Sequence, residues 1–225
     1  YCIDDNYSEE QILIRNATRD WVKKHVKPHI EEHFQRAETP SYLVKELSNI
    51  GAFGLIIPEN YGGVGADYIS FGLMMQELEK GDSSIRVISS IQTSLVMYAI
   101  YKFGSEEQRA KYLPKLATGE MLGAFGLTEP DFGSNPSSMH SYYKEDGDNI
   151  VINGSKMWIG NAETADIAIV WIKDESAEIR GVIVETKNIT NFTTTTLKDK
   201  WSFRSSKTGE LVFSYSVISK EQVLA

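Results

Sequence analysis

Two kinds of apolar spacing divide this chain. Through the first half, apolar residues recur every three or four positions, the spacing that gathers them on one face of a helix. Ile12, Ala17, Trp21, Val22 and Val26 make one such stripe, which ends where Pro28 intrudes. Ser8 stands three residues ahead of Gln11, a capping box in which the hydroxyl takes the Gln11 amide and the glutamine reaches back. A second helix is predicted from Ser41 to Ile50, stopped by Gly51, and residues 58–65 read as a glycine-rich loop. From Asp67 the residues Ile69, Phe71, Leu73, Met74 and Leu78 trace a third helix that breaks at Gly81 and Asp82. Ser83 is the expected cap of the next, a long apolar helix running to Phe103. Ser105 and Gln108 form another capping box, opening a helix that fades at Pro114 or shortly beyond.

From Met121 the texture changes to short β-branched and aromatic runs at 149–154, 167–172, 180–185, 193–197 and 211–218, mostly separated by Gly, Asn and Asp. The predicted fold class is α+β. An all-α domain covers residues 1–120, and a small antiparallel β-barrel or sandwich covers 121–225, with the boundary near residues 119–123.

Net charge narrows the function classes. At −8 with a pI of about 5.1, the chain has no basic face for nucleic acid, whereas a small phosphate-bearing ligand needs only local donors. Cys2, the single cysteine, excludes an internal disulfide and a cysteine zinc cluster and agrees with a reducing compartment. His29, His33 and His140 lack metal-ligand spacing, so no metal is expected, and no Ser/His/Asp arrangement is evident. No apolar run reaches the roughly 20 residues of a membrane span, so no membrane partner is expected. The chain starts at Tyr1 rather than Met and shows no leader. It is therefore expected to be a piece of a longer protein, located in the cytoplasm or, in a eukaryote, the mitochondrial matrix.

Three motifs carry candidate chemistry. Gly62, Gly63 and Gly65 are not one of them, because no strand precedes them and the spacing is wrong for a dinucleotide fingerprint. Residues Phe125, Gly126, Leu127, Thr128, Glu129, Pro130, Asp131, Phe132, Gly133 and Ser134 form a loop rich in backbone donors. Its amides suit the carbonyls and ring nitrogens of a flat heterocycle, and Ser134 offers a hydroxyl to a pyrophosphate. The plainer reading is a connection turned at Pro130 with no ligand. Trp158, in the run Lys156, Met157, Trp158, Ile159, Gly160, Asn161, reads either as core or as the cover of a bound ring. Arg86 reads either as a surface arginine paired with Asp82 or Glu79, or as a planar fork for a carboxylate.

On these runs the chain resembles the N-terminal and middle domains of the acyl-CoA dehydrogenase family, over residues 9–224. The context of Arg86, Ser90, Gln92, Ser94, Leu95, Val96 and Met97 is similar to the glutaryl-CoA branch of that family. The resemblance implies FAD as cofactor, bound by Phe125, Gly126, Leu127, Thr128, Gly133, Ser134, Trp158, Ile159 and Gly160, with the indole covering the flavin. It implies substrate contacts at Arg86, Val87, Glu79 and Ser134. Two positions depart from the pattern. Gly160 stands where the family has a Thr or Ser whose hydroxyl meets flavin N5, and Val87 replaces a serine. Residues 200–209 resemble the stretch before the last barrel strand, where Arg204 is read as structural.

The family continues into a C-terminal helical bundle, absent from this chain, that carries the catalytic base, so no catalytic residue is assigned here. The implied chemistry is oxidation of an acyl-CoA, with glutaryl-CoA decarboxylated to crotonyl-CoA in amino-acid catabolism. An electron-transfer flavoprotein would accept the electrons, and the complete protein would be a homotetramer. The 225 residues alone are expected to show little turnover and weak FAD affinity. A short-chain acyl-CoA dehydrogenase or oxidase, and a non-catalytic flavin- or acyl-CoA-binding module, stay open as alternatives.

Overall fold

A computed structural model of the chain describes residues 3–224. Tyr1, Cys2 and Ala225 lie outside the described residues, and with Cys2 goes the disulfide reading. The first helix, α1 (Glu9–Trp21), begins as its capping box predicts: Ser8 Oγ accepts from the Gln11 amide at 3.2 Å, and Gln11 Oε1 accepts from the Ser8 amide at 2.9 Å. A wider turn (Val22–Val26) extends it. Beyond Pro28 the chain re-forms a short helix, α2 (Ile30–Arg36), which apolar spacing did not announce. The next helices are α3 (Ser41–Asn49) and α4 (Tyr68–Gly81), the latter capped by Asp67, whose carboxylate accepts from the Ser70 amide at 2.7 Å.

At α5 (Ser83–Ser90) the cap is Asp82, not Ser83. Asp82 is extended and accepts from the Ser84 amide at 2.6 Å, while Ser83 is already helical. A carboxylate here also meets the positive end of the helix dipole, which a hydroxyl does not exploit. A π-helical stretch (Ile91–Met97) leads into α6 (Tyr98–Phe103), and α7 (Glu106–Ala117) runs through Pro114. No helix among the described residues is long and apolar enough to cross a membrane.

Seven strands follow: β1 (Gly123–Gly126), β2 (Tyr142–Asp146), β3 (Asn149–Gly160), β4 (Ile167–Lys173), β5 (Ile179–Glu185), β6 (Phe192–Thr196) and β7 (Thr208–Ser219). Spacing missed β1, four residues with a glycine at each end, and β2, which is mostly polar and exposed. The strands form one sheet in the order β1-β4-β2-β3-β7-β6, with β5 on β4. The α+β class holds, and the sheet is mixed. β4 runs parallel to β1 and β2 because the chain returns to it through the intervening loop and the β2–β3 hairpin; the other pairings are antiparallel. β4 is buried on both faces, with Ile167 and Ile169 against the helices and Ala168, Val170 and Ile172 inside the sheet. That is why its sequence is continuously apolar rather than alternating.

Helices and sheet meet at Gln92, which is fully buried in the π-helical stretch. Its Nε2 donates to the carbonyls of Leu116 and Met121, both at 2.8 Å, and its Oε1 accepts from the Gly123 amide at 2.9 Å. From the sheet side Asn161 Nδ2 donates to the Gly123 carbonyl at 3.0 Å. A Cβ on Gly123 would lie 2.5 Å from Val96 Cγ1, so β1 reaches this helix only without a side chain. Gly123→Ala is accordingly expected to destabilise the fold by about 1–3 kcal/mol through overpacking. Gly72→Ala, on α4 with nothing within 4 Å of its would-be Cβ, should stabilise by roughly 0.5–1 kcal/mol. Urea denaturation of the two variants checks the pair of signs.

Candidate functional site

Along β3 the alternating register that buries Ile150 and Ile152 also turns Lys156 inward, and its side chain is wholly inaccessible. A buried ammonium needs a matched anion. Lys156 Nζ donates to Glu129 Oε1 at 2.8 Å and to the Leu127 carbonyl at 3.2 Å. Glu129 also accepts from the amides of His140 (2.7 Å) and Ser141 (2.9 Å). Burial would push the Glu129 carboxyl up, but Lys156 and these donors outweigh it and hold its pKa at about 2. Burial pulls the Lys156 ammonium down against the attraction of Glu129. With 2.8 Å between opposite charges and amide donors on the carboxylate, the pair stays ionised.

This pair clamps residues 127–129 to β3, and two further bonds shape the loop beside it. The Met157 amide donates to the Thr128 carbonyl at 2.8 Å, and Glu129 and Phe132 exchange backbone bonds of 3.2 Å across Pro130 and Asp131. Gly133 and Ser134 stand exposed at the loop's far end. The hydroxyls of Thr128 and Ser134 have no hydrogen-bond partner among the described residues.

One step along β3 the pairing with β7 slips between Lys156 and Ile159, and Trp158 sits in that irregularity with φ +65°. Its indole is 63% exposed, so the core reading fails. A left-handed non-glycine residue costs on the order of 1–3 kcal/mol, and an exposed indole forgoes burial. Neither cost is offset within these residues, which marks the ring as a face for something else. The next side chain, Ile159, is 3% exposed in the sheet core, so only its backbone faces outward chemistry. At Gly160 a Cβ would lie 2.3 Å from Ile91 Cδ1. Ile91 occupies the place where a Thr or Ser side chain would begin.

Trp158, Gly160, Val87 and Ile91 line one open groove of about 450 Å³, together with the segment carrying Lys200, Trp201 and Phe203. Arg86 stands at its rim, its guanidinium carbon 5.9 Å from the Phe203 ring centre. Arg86 Nε donates to Glu79 Oε2 at 2.7 Å, and Nη1 lies 3.5 Å from Ser90 Oγ. Arg86 is thus paired with Glu79 rather than Asp82, beside the groove. Glu79 also accepts from Ser83 Oγ at 2.6 Å; burial raises its pKa, but Ser83 and Arg86 together hold it below the usual carboxylate value.

The structure therefore brings Arg86, Val87, Glu79, Trp158 and Gly160 to one place. It does not bring the whole 125–134 loop with them. Phe125, half-buried, packs towards Trp171 at 6.2 Å between ring centres, Gly126 lies against Lys156, and Leu127 is half-buried. Gly133 and Ser134 do not line the groove, and the loop adjoins it through the bond from Met157 to Thr128. Sequence reasoning missed the Lys156–Glu129 pair, although a lysine on the core face of an alternating strand was a readable signal. It also missed Lys200, Trp201 and Phe203 as a wall, since no periodicity marks them. Arg204, read as structural, donates to the Phe34 carbonyl at 3.1 Å and lies over the Phe34 ring. Among the described residues no three His, Cys, Asp or Glu side chains group to hold a metal.

Comparison with known proteins identifies the family. The model of the acyl-CoA dehydrogenase N-terminal domain matches residues 8–120, and that of the acyl-CoA dehydrogenase middle domain matches residues 124–215. The chain is 35% identical to a glutaryl-CoA dehydrogenase of Desulfococcus multivorans, covering 99% of this chain and 59% of that protein. It is 34% identical to a short-chain-specific acyl-CoA dehydrogenase of Clostridium acetobutylicum, with the same two coverages. The crystal structure of a glutaryl-CoA dehydrogenase from Mycobacterium smegmatis in complex with FADH2 superposes with a TM-score of 0.95 at 40% identity, covering 99% of this chain and 57% of that one. The chain thus spans somewhat over half the length of the relatives it matches.

Lys156→Met, which leaves the Glu129 carboxylate buried without its counter-charge, is expected to cost about 3–5 kcal/mol, and adding Glu129→Gln should recover much of it. The folded pKa of Glu129 lies below its ordinary 4.5, so its contribution is complete above pH 4.5 and is lost as pH falls through that value towards 2. Glu77 and Glu185, also held at about 2, titrate in the same window, so the readout is the difference in acid sensitivity between wild type and the double variant. Urea titrations from pH 6 down to about pH 3 measure it. Equal slopes for the two proteins would remove Glu129 from the account.

Proposed function

This chain belongs to the acyl-CoA dehydrogenase family, whose cofactor is FAD, and we propose that it forms the flavin-facing part of an acyl-CoA-oxidising enzyme. The observation that carries the reading is the exposed, left-handed Trp158 over a groove that no side chain of this chain fills. The residues fit FAD. The indole offers a flat apolar face, and Thr128 and Ser134 offer unpartnered hydroxyls on a loop held in place by buried charge. When bound, FAD supplies the two-electron acceptor that side chains lack. The chain's own residues orient: Trp158 gives the ring its face, and Ile91 with Gly160 makes a hydroxyl-free, apolar stretch of the same groove.

For the substrate we propose an acyl-CoA bearing a distal carboxylate, glutaryl-CoA being the reading that Arg86 and the 35% identity to a glutaryl-CoA dehydrogenase support. Arg86 commits Nε to Glu79 and keeps its Nη2 donors free for a carboxylate at the rim. Val87 offers no second polar contact. Within the proposal the α-proton leaves to a base outside these residues, decarboxylation yields crotonyl-CoA, an electron-transfer flavoprotein takes the electrons and the complete protein is a tetramer. A plain alkyl acyl-CoA is the second reading, favoured by the charge of Arg86 already being met by Glu79 and by the short-chain-specific relative.

In the complete protein, Arg86→Ala should lower kcat/KM for glutaryl-CoA by about 2–5 kcal/mol equivalent while leaving butyryl-CoA nearly unchanged. A common loss on both substrates, or none on either, rules out the carboxylate role. Trp158→Ala should reduce FAD affinity at least tenfold in a fluorescence titration, about 1.4 kcal/mol, with little change in the urea midpoint because the indole is mostly exposed. Undiminished FAD binding in that variant would sink the flavin reading.

A further inference from the structure

Lys198, Lys200, Arg204 and Lys207 crowd the connection between β6 and β7. With Arg36 they line a recess of about 350 Å³ between that connection and the end of α2. Its lining carries five cations against the three carboxylates of Glu38, Glu163 and Asp199, in a chain of net charge −8. Arg36 pairs with Glu32 at 2.8 Å. None of the other four cations takes part in any ion pair among the described residues.

Two of these unmatched charges are held rigidly. Lys200 Nζ donates to the carbonyls of Phe203 (2.7 Å) and Ser206 (2.6 Å) and to Thr208 Oγ1 (2.8 Å). Arg204 donates to the carbonyls of Phe34 and Lys200, each at 3.1 Å, and lies over the Phe34 ring. Carbonyls orient a cation without neutralising it. Two hydroxyls on the same lining, Thr196 Oγ1 and Ser206 Oγ, are shielded from water and have no hydrogen-bond partner, and Ser206 is 2% exposed. Fixed cations in no ion pair, in excess over the carboxylates of the lining and beside unsatisfied hydroxyls, suit an oxyanion.

We propose that this recess binds a phosphate group, free or carried on a small organic phosphate. The Nη2 of Arg204 and the ammonium groups of Lys198 and Lys207 suit a tetrahedral oxyanion, the hydroxyls supply further donors, and Lys200, its three N–H bonds already committed, adds only its charge. The recess is separate from the Trp158 groove, although Lys200 and Ser206 line both, so an anion held here would brace the wall that the groove shares.

The test is calorimetric titration of the complete, FAD-saturated protein with inorganic phosphate and, in parallel, with adenosine diphosphate, at about 0.15 M NaCl to suppress loose surface attraction. One saturable site is expected, weakened at least tenfold by Lys207→Gln and by Arg204→Gln and untouched by Lys144→Gln on β2. Tighter phosphate identifies the free ion as the ligand, and tighter adenosine diphosphate identifies a carried phosphate. Heats no different from added NaCl of equal ionic strength would overturn the site, as would binding that Lys207→Gln leaves intact. Arg204→Gln also cuts the tie to Phe34; if it fails to fold, Lys207→Gln decides alone, because that ammonium makes no hydrogen bond.

Discussion

A charge that the strand register forces into the sheet governs the candidate site. Lys156 has nowhere to go but inward, and the chain answers it with Glu129 and the Leu127 carbonyl rather than with water. Because both partners of that answer lie on one loop, neutralising the ammonium and positioning the loop are the same event. The amides of His140 and Ser141 take two further acceptor positions of the carboxylate, which anchors the way into β2 as well. A buried ion pair is a poor source of net stability but a strong source of uniqueness in this setting, since any other loop conformation would strand an ammonium in an apolar sheet.

The same strand then does the opposite with its next large residue. Having spent its inward position on a charge, β3 slips register and presents Trp158 to solvent in a strained backbone. Burial of a charge and exposure of an indole within three residues invert the usual partition of side chains. The two inversions differ in kind: the lysine finds its partners within the chain, whereas the tryptophan stays 63% exposed. Gly160 completes the arrangement, since Ile91 from the helical half fills the volume its side chain would take. The groove is therefore a joint product of helix and sheet, and its shape depends on the closeness that Gln92, Gly123 and Asn161 enforce between them.

Helix starts were legible because a cap is a local event: Ser8 with Gln11, Ser105 with Gln108, and Asp67 all act within three residues. Asp82 went unrecognised as the cap of α5 because two adjacent residues were both competent, and the dipole preference for a carboxylate decides between them. Short strands were less legible. β1 owes its place to Gln92, Asn161 and β4, none of which is near it in sequence. The antiparallel expectation met a mixed sheet because strand direction is set by where the chain re-enters, which alternation along a strand does not encode.

For the site, the sequence by itself determined the residue types: a donor-rich loop, an indole close to a glycine, and an arginine among apolar neighbours. Tertiary structure alone decided which of these meet. It put Val87 in one groove with Trp158 and Arg86 at its rim, packed Phe125 towards Trp171, buried Ile159, and brought the 200–203 segment in as an unannounced part of the lining. The reason is physical: caps and alternation are short-range and repeat along the chain, whereas a groove is the space left where non-local surfaces pack, and its lining follows from volumes and charges contributed by distant segments.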